Sequence, residues 1–250
     1  DIEVEIPNAT QTRINYLGRY FTLIFNMESE KLQSLENRES LIKSLDILKL
    51  LGKNFYNKAE AAIGPVSRSP YTKDIFTAMP YDPENKLSAA QKSYLNGLNI
   101  ILPDNPDGRQ VESFLIDAWG KSLGIELSIE YLDIDQLVER AHNSKFDVLF
   151  AGHEVTPDPD RYVFWHSTQI DSLNLGRFQD LRADKSLEEG RLEADFEKRK
   201  VHYNIFQDVM ATKLPAFFLY HPGTFLYTSS RTPIPIPENI YSPKDIFGNL

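Results

Sequence analysis

Hydrophobic residues along this chain fall into short bursts whose spacing shifts between a strand period of two and a helical period near 3.6. Leu98 to Leu102 (LNIIL) is a short apolar run stopped by Pro103-Asp104-Asn105-Pro106-Asp107-Gly108, which predicts a buried strand and a turn. Val111, Phe114, Leu115, Ala118, Trp119 and Leu123 then recur at helical spacing, and Gly124 follows as a helix-terminating glycine. Ile125, Leu127, Ile129 and Tyr131 alternate, predicting a second strand. Asp133 or Asp135 can cap a short helix through Gln136-Leu137-Val138, and apolar Phe146 to Ala151 predicts a third strand that breaks at Gly152. Right-handed crossovers make the strands of this β-α-β-α-β series parallel.

Upstream, Tyr20 to Asn26 (YFTLIFN) predicts a strand, and Leu41, Leu45, Leu48 and Leu51 share one helical face. Gly64 to Pro70 (GPVSRSP) reads as a rigid loop. Downstream, Asp184 to Lys213 reads as two helices, with Asp195 capping the second and Phe196, Tyr203, Phe206, Val209 and Met210 on its buried side. Ala216 to Tyr220 and Thr224 to Thr228 read as further strands. From Thr232 the chain is proline-rich and aperiodic, which suits a crossing segment or a surface strap.

Composition narrows the classes. The 250 residues allow one large domain or two small ones. Lys+Arg 27 against Asp+Glu 36, a net charge of -9 with no basic run, disfavours nucleic-acid and anionic-membrane binding. No apolar run approaches the roughly 20 residues of a membrane-spanning helix. The absence of cysteine excludes disulfides, zinc-thiolate sites and cysteine nucleophiles. The opening DIEVEIPN has acidic residues where a signal peptide has a basic region, so a processed chain or an excised domain is expected.

The chemistry-bearing stretch is Phe146 to Ser167, FDVLFAGHEVTPDPDRYVFWHS. A loop beyond a strand's carboxyl end is where open α/β sheets bind ligands. His153, Glu154, Asp158, Asp160 and His166 carry metal-ligand or acid-base chemistry, but none is paired at the i, i+4 spacing of HExxH, and Asp158-Pro159-Asp160 is also turn chemistry. Trp165 can stack on a ligand or fold onto the core, whereas Trp119 lies on an apolar helical face and reads as core. Asn174 can bond a ligand or cap a turn, and the turn is the simpler reading. Arg182, Arg191 and Arg199 interleave with acids as on a solvated helix surface. His166-Ser167 lacks a nucleophile elbow, and GxGxxG and GxxxxGK are absent, so no cofactor is expected.

The order of segments resembles the large lobe of bacterial extracellular solute-binding proteins of the oligopeptide, dipeptide and nickel-binding type, which serve ABC importers. The residues that carry it are YFTLIFN, NRESLIKSLD (Asn37–Asp46), GPVSRSPY, YDPENKLS (Tyr81–Ser88), FDVLFAG with DPDRY and WHSTQ, NLGRFQD, DKSLEEGR, KRKVHYNIFQDV and LPAFFLYHP. Together they span roughly Arg13 to Arg231. The resemblance implies an α/β chain forming one lobe of a two-lobed periplasmic-binding-protein-like fold, with a mixed sheet, a parallel β-α-β-α-β core and flanking helices. Residues 1–12 would cross from a first lobe, 13–231 would form the ligand-binding lobe, and 232–250 would return. The implied partners are a peptide or other small solute, the other lobe and a membrane permease. The implied place is the periplasm or the outer face of the cytoplasmic membrane, with a lipid anchor on the full-length protein.

Peptide binders of this family carry a tryptophan after the glycine and an aspartate three residues later that holds the peptide amine; here His153 and Thr156 stand there, in a loop one residue short before Asp158. Glu154 or Asp158 is a candidate replacement, since a carboxylate holds an ammonium by a charge-assisted bond. The expected ligand-binding set is therefore His153, Glu154, Thr156, Asp158, Trp165, His166 and Asn174. Binding without chemistry is the leading expectation; a metal-assisted hydrolase using His153, Asp158 and His166 is the alternative.

Overall fold

Two sheets organise the chain, seen in a computed structural model that describes residues 6–54, 59–73, 80–229, 231 and 235–246. In chain order, β1 (Ala9–Tyr16) and β2 (Arg19–Phe25) precede α1 (Glu30–Gln33), α2 (Leu35–Lys43), α3 (Ile47–Lys49) and the short strand β3 (Glu60–Ala61). The core follows as α4 (Ala89–Leu95), β4 (Leu98–Pro103), α5 (Pro106–Leu115), β5 (Leu127–Leu132), α6 (Ile134–His142) and β6 (Val148–Glu154). Next come α7 (Tyr162–Trp165), α8 (Leu181–Leu192), α9 (Phe196–Lys213), β7 (Ala216–His221), β8 (Gly223–Ser229) and β9 (Asn239–Ile240).

Six strands form the main sheet in the order β3-β7-β2-β6-β4-β5. β4 is parallel to both β5 and β6, as the crossover argument requires, while β2 is antiparallel to β6 and β7. Helices cover both faces. On one, Val111, Phe114 and Leu115 of α5 pack with Leu23, Phe25, Phe150 and Trp119. On the other, Tyr203 and Phe206 of α9 pack with Tyr20, Trp165 and Phe218. This is the layered solution for a sheet that is apolar on both faces.

Local signals account for most element ends. Asp133 and Gln136 form a capping box that starts α6, and Asp195 accepts from the Lys198 N–H to start α9. Gly124 takes φ +69° after a π turn over Ile116–Ser122 that prolongs α5. Trp119 is fully buried and donates its indole N–H to the Leu41 carbonyl at 3.0 Å.

Three expectations are corrected. The chain does not break at Gly152: β6 runs to Glu154 because β2 pairs with it throughout, from Phe25↔Val148 to Arg19↔Glu154. The helical face through Leu48 is interrupted after Lys43, where Asp46 caps a new short helix and leaves Leu48 75% exposed. Phe196 is half-exposed as the first residue of α9, its ring against Tyr71 at 4.8 Å.

A smaller sheet, β8-β1-β9, stands beyond the carboxyl edge of the main one. β1 pairs antiparallel with β8 from Ala9↔Ser229 to Asn15↔Gly223, so the strand entering β2 and the strand leaving β7 form one ribbon. β9 adds in parallel at Asn15–Tyr16. Of the expected crossing segments, residues 1–5, 232–234 and 247–250 lie outside the described residues.

Candidate functional site

The carboxyl ends of β4, β5, β6 and β7 and the start of β2 share one edge of the main sheet, beside the root of the ribbon. Strand alternation decides which side chains reach this surface. Phe150, Gly152 and Glu154 fall on the face covered by α5, and Ala151, His153 and Val155 on the opposite face, where α6 lies over Ala151 and α9 over the cluster that holds Val155.

On the α5 face the edge is open. Glu154 is paired across the strands with Arg19, whose Nε donates to Oε1 at 2.5 Å, and the Tyr16 hydroxyl donates to Oε2 at 3.2 Å. Desolvation and the Glu154 charge push the Tyr16 hydroxyl pKa up. Beside this trio the Phe21 ring stacks on Phe150 at 5.3 Å and leans on Tyr220 at 5.0 Å. Gly152 is exposed, and a Cβ there would lie 3.0 Å from the Phe21 ring. The edge therefore offers bare strand backbone, an aromatic floor and a neutralised ion pair. Bare backbone at a glycine in a strand suits close approach of another chain.

On the α9 face the expected site residues lie beneath the surface. His153 is 5% exposed, stacked on Phe164 at 4.3 Å and edge-on to Trp165, with Nδ1 3.2 Å from the Tyr20 hydroxyl. Desolvation, helped by the nearby Arg161 charge, lowers its pKa to about 3, so it is neutral at ordinary pH. Trp165 is 1% exposed and takes the core alternative. Asn174 is fully buried, and its amide donates to the carbonyls of His166 and Phe178 and accepts the Phe178 N–H, which is the turn-capping arrangement. His166 is buried, accepts the Thr168 N–H at Nδ1 and thus donates from Nε2 to Glu188 at 3.2 Å.

Thr156 and Asp158 are exposed in the loop after β6. Asp158 is gripped by both terminal nitrogens of Arg199 at 2.8 and 3.0 Å; that contact and the Asp160 N–H overcome partial burial and lower its pKa. The loop is anchored from below by Arg161, 2% exposed, which donates to the carbonyls of Pro65, Thr156, Asp158 and Asp160. A neighbouring buried relay fixes the Gly64–Pro70 loop. Nδ1–H of His221 donates to the Arg19 carbonyl at 2.8 Å, and the Ser67 hydroxyl donates to Nε2 at 2.9 Å while accepting the Ile63 N–H.

His153, Asp158 and His166 thus have separate partners, and among the described residues no three metal-ligating side chains converge. The expected set divides into Glu154, Thr156 and Asp158 at the surface and His153, Trp165, His166 and Asn174 below it. Arg19, Tyr16, Phe21 and Tyr220 were not legible as site residues, because only the pairing of β2 between β6 and β7 brings them to this edge. A cavity of about 580 Å³, lined by Asn26, Ser29, Lys31, Asn99 and Asp147, lies at the opposite edge, by the amino ends of β4 and β6.

No family model matches the chain. The probable di/tripeptide-binding protein 5 of Pseudomonas aeruginosa is 28% identical over 81% of this chain and 40% of its own length. The oligopeptide-binding protein AppA of Bacillus subtilis is 24% identical over 92% of this chain and 46% of its own. The structure of AppA with a nonapeptide superposes with a TM-score of 0.75 over 89% of this chain and 48% of that one, at 20% identity. The ABC transporter substrate-binding protein CtaP of Listeria monocytogenes superposes with a TM-score of 0.77 at 19% identity over 90% and 47%. The fold is that of substrate-binding proteins, the relatives are peptide-binding proteins, and the chain spans about half the length of each.

Proposed function

We propose that this chain is one lobe of the substrate-binding component of an ABC importer, and that it holds a peptide or similar small solute against the carboxyl edge of its main sheet. The carrying observation is the ribbon: β1 and β8 enter and leave side by side at that edge, so a second body continued from them would face it. Similarity to peptide-binding relatives twice this length supports the same reading. Residues 13–231 would be the lobe, with 1–12 and 232–250 as connections to the other. Hinge closure would bury the solute and present the closed form to a permease, outside the cytoplasmic membrane and on a lipid anchor.

Under this reading the contact wall is Arg19, Gly152, Glu154 and Thr156, with Asp158 at its rim. His153, Trp165, His166 and Asn174 act from beneath, as packed support. The protein binds and does no chemistry. Native mass spectrometry of the two-lobed protein, purified gently from its host, tests this. A heterogeneous set of peptide masses is expected. A single non-peptide mass, a sugar or a metal chelate, would overturn the peptide reading and keep the binding one; release of a cleaved product would overturn both.

A further inference from the structure

We infer that the loop after β6, residues 156–160, receives an anionic group of the bound solute, such as a carboxylate, on the N–H groups of Thr156 and Asp158 and the Thr156 hydroxyl. This rests on the proposed binding edge. The acceptors of the loop are spent inward. The carbonyls of Thr156, Asp158 and Asp160 accept from Arg161, and that of Pro157 accepts from the Ser69 hydroxyl at 2.7 Å. The two carboxylates are held by Arg199 and Arg191, and they also accept the N–H groups of Asp160 and Tyr162. What the loop has left is donors. Thr156 and Asp158 are exposed, and their N–H groups donate to no described residue. The Thr156 hydroxyl likewise has no partner among the described residues. The Val155 N–H donates to the Gly18 carbonyl at 2.8 Å, on the β2 side. The next N–H, from Thr156, therefore turns to the other side, where β4 has stopped pairing with β6 beyond Ile101↔Leu149.

Beneath these donors lies a cation that no carboxylate offsets. Arg161 is buried, its hydrogen bonds run to four carbonyls, and it forms no ion pair with any described residue. Carbonyl dipoles satisfy its N–H groups but leave its unit charge in place. The charge is felt nearby: after burial, the larger cause, it lowers the pKa of His153. Within the loop Asp158 and Asp160 each have a guanidinium, so Arg161 is the charge left over. The acids near this edge that no guanidinium contacts among the described residues, Asp107, Asp133 and Asp135, stand at the ends of β4 and β5 instead. An ammonium laid on the loop would meet N–H groups it cannot bond and a like charge below them. A carboxylate would meet two N–H groups and a hydroxyl, with the guanidinium field favouring it. Arg161 touches no solute in this arrangement; it positions the loop and supplies the field.

Two measurements test this. In the two-lobed protein, trialanine and trialanine amide, which lacks the carboxylate, are titrated against wild type and Thr156→Asp. Wild type should prefer the free carboxylate by roughly tenfold, the value of one charge-assisted bond. Thr156→Asp sets a second anion over the same donors, at an exposed position, and should bind both peptides alike. A preference that survives Thr156→Asp, or is missing from wild type, overturns the inference while peptide binding stands. If neither peptide binds wild type, the peptide reading itself fails, and the inference with it. The second measurement needs no variant: amide hydrogen exchange at Thr156 and Asp158 is followed in the wild-type two-lobed protein saturated with each peptide. Trialanine should slow both amides at least roughly tenfold more than its amide does. Equal protection by the two peptides would show that closure of the lobes alone covers the loop, and no protection by either would show that the donors are unused; both overturn the inference.

Discussion

Two histidines show how a residue's environment outweighs its type. Burial lowers the pKa of His153 to about 3 and that of His221 to about 4. Each folded value lies below the unfolded one near 6.5, so the unfolded chain takes up protons first as pH falls. Stability is full above about pH 6.5 and is lost below it, by about 2 kcal/mol per histidine at pH 5. Urea unfolding between pH 7.5 and 4.5 should show that slope; a flat profile would mean that both rings reach solvent. Arg161 gives the complementary test. Arg161→Met would strip four carbonyls, one buried and three part-buried, of their donor, at about 3 kcal/mol, and would raise the His153 pKa by removing a neighbouring charge. A loss under about 1 kcal/mol in the same melts would show the loop standing without it. The residue types around Gly152 were legible as chemistry-bearing, but their roles were not. Adjacent positions in a strand face opposite ways, so His153 and Glu154 share neither neighbours nor solvent.

At the scale of elements, local pattern carried the parallel core. β4, α5, β5, α6 and β6 stand where periodicity and caps place them, because each signal lies within one turn or one strand of the element it specifies. The extension of β6 through Gly152 was not legible, since a lone glycine after an apolar run reads as a stop until a partner strand supplies hydrogen bonds on its far side. β1 escaped for a related reason: ATQTRINY is mostly polar, and its partner β8 lies at the other end of the chain. The root of this ribbon is testable. A Cβ on Gly18 would fall 1.9 Å from the Tyr241 carbonyl oxygen, so Gly18→Ala should push the β9 segment off. Hydrogen exchange at Asn239 to Asp245 should accelerate and stability fall by about 1–3 kcal/mol; unchanged protection would show the segment held by other contacts.

For the whole molecule, the proposed binding edge is an open wall. A wall buries little of a ligand's surface, whereas pockets that bind tightly bury most of it. The isolated chain should therefore show no peptide binding by calorimetry at concentrations where the two-lobed protein saturates. Equal affinity in both would show that the second lobe contributes no contacts, and would end the two-lobed reading.

The sequence by itself determined the helices and strands of the parallel core, the glycine after α5, the burial of Trp119 and a resemblance spread over ordered segments. All of these are written in short-range periodicity or in residue order. Only the tertiary structure decided that β2 inserts between β6 and β7, that Glu154 and Asp158 are spent on arginines, and that Arg161 ties the loop after β6 to Pro65. Those outcomes depend on pairings between residues distant along the chain. A charge cannot be known as free or neutralised until the strands that carry its partners have met.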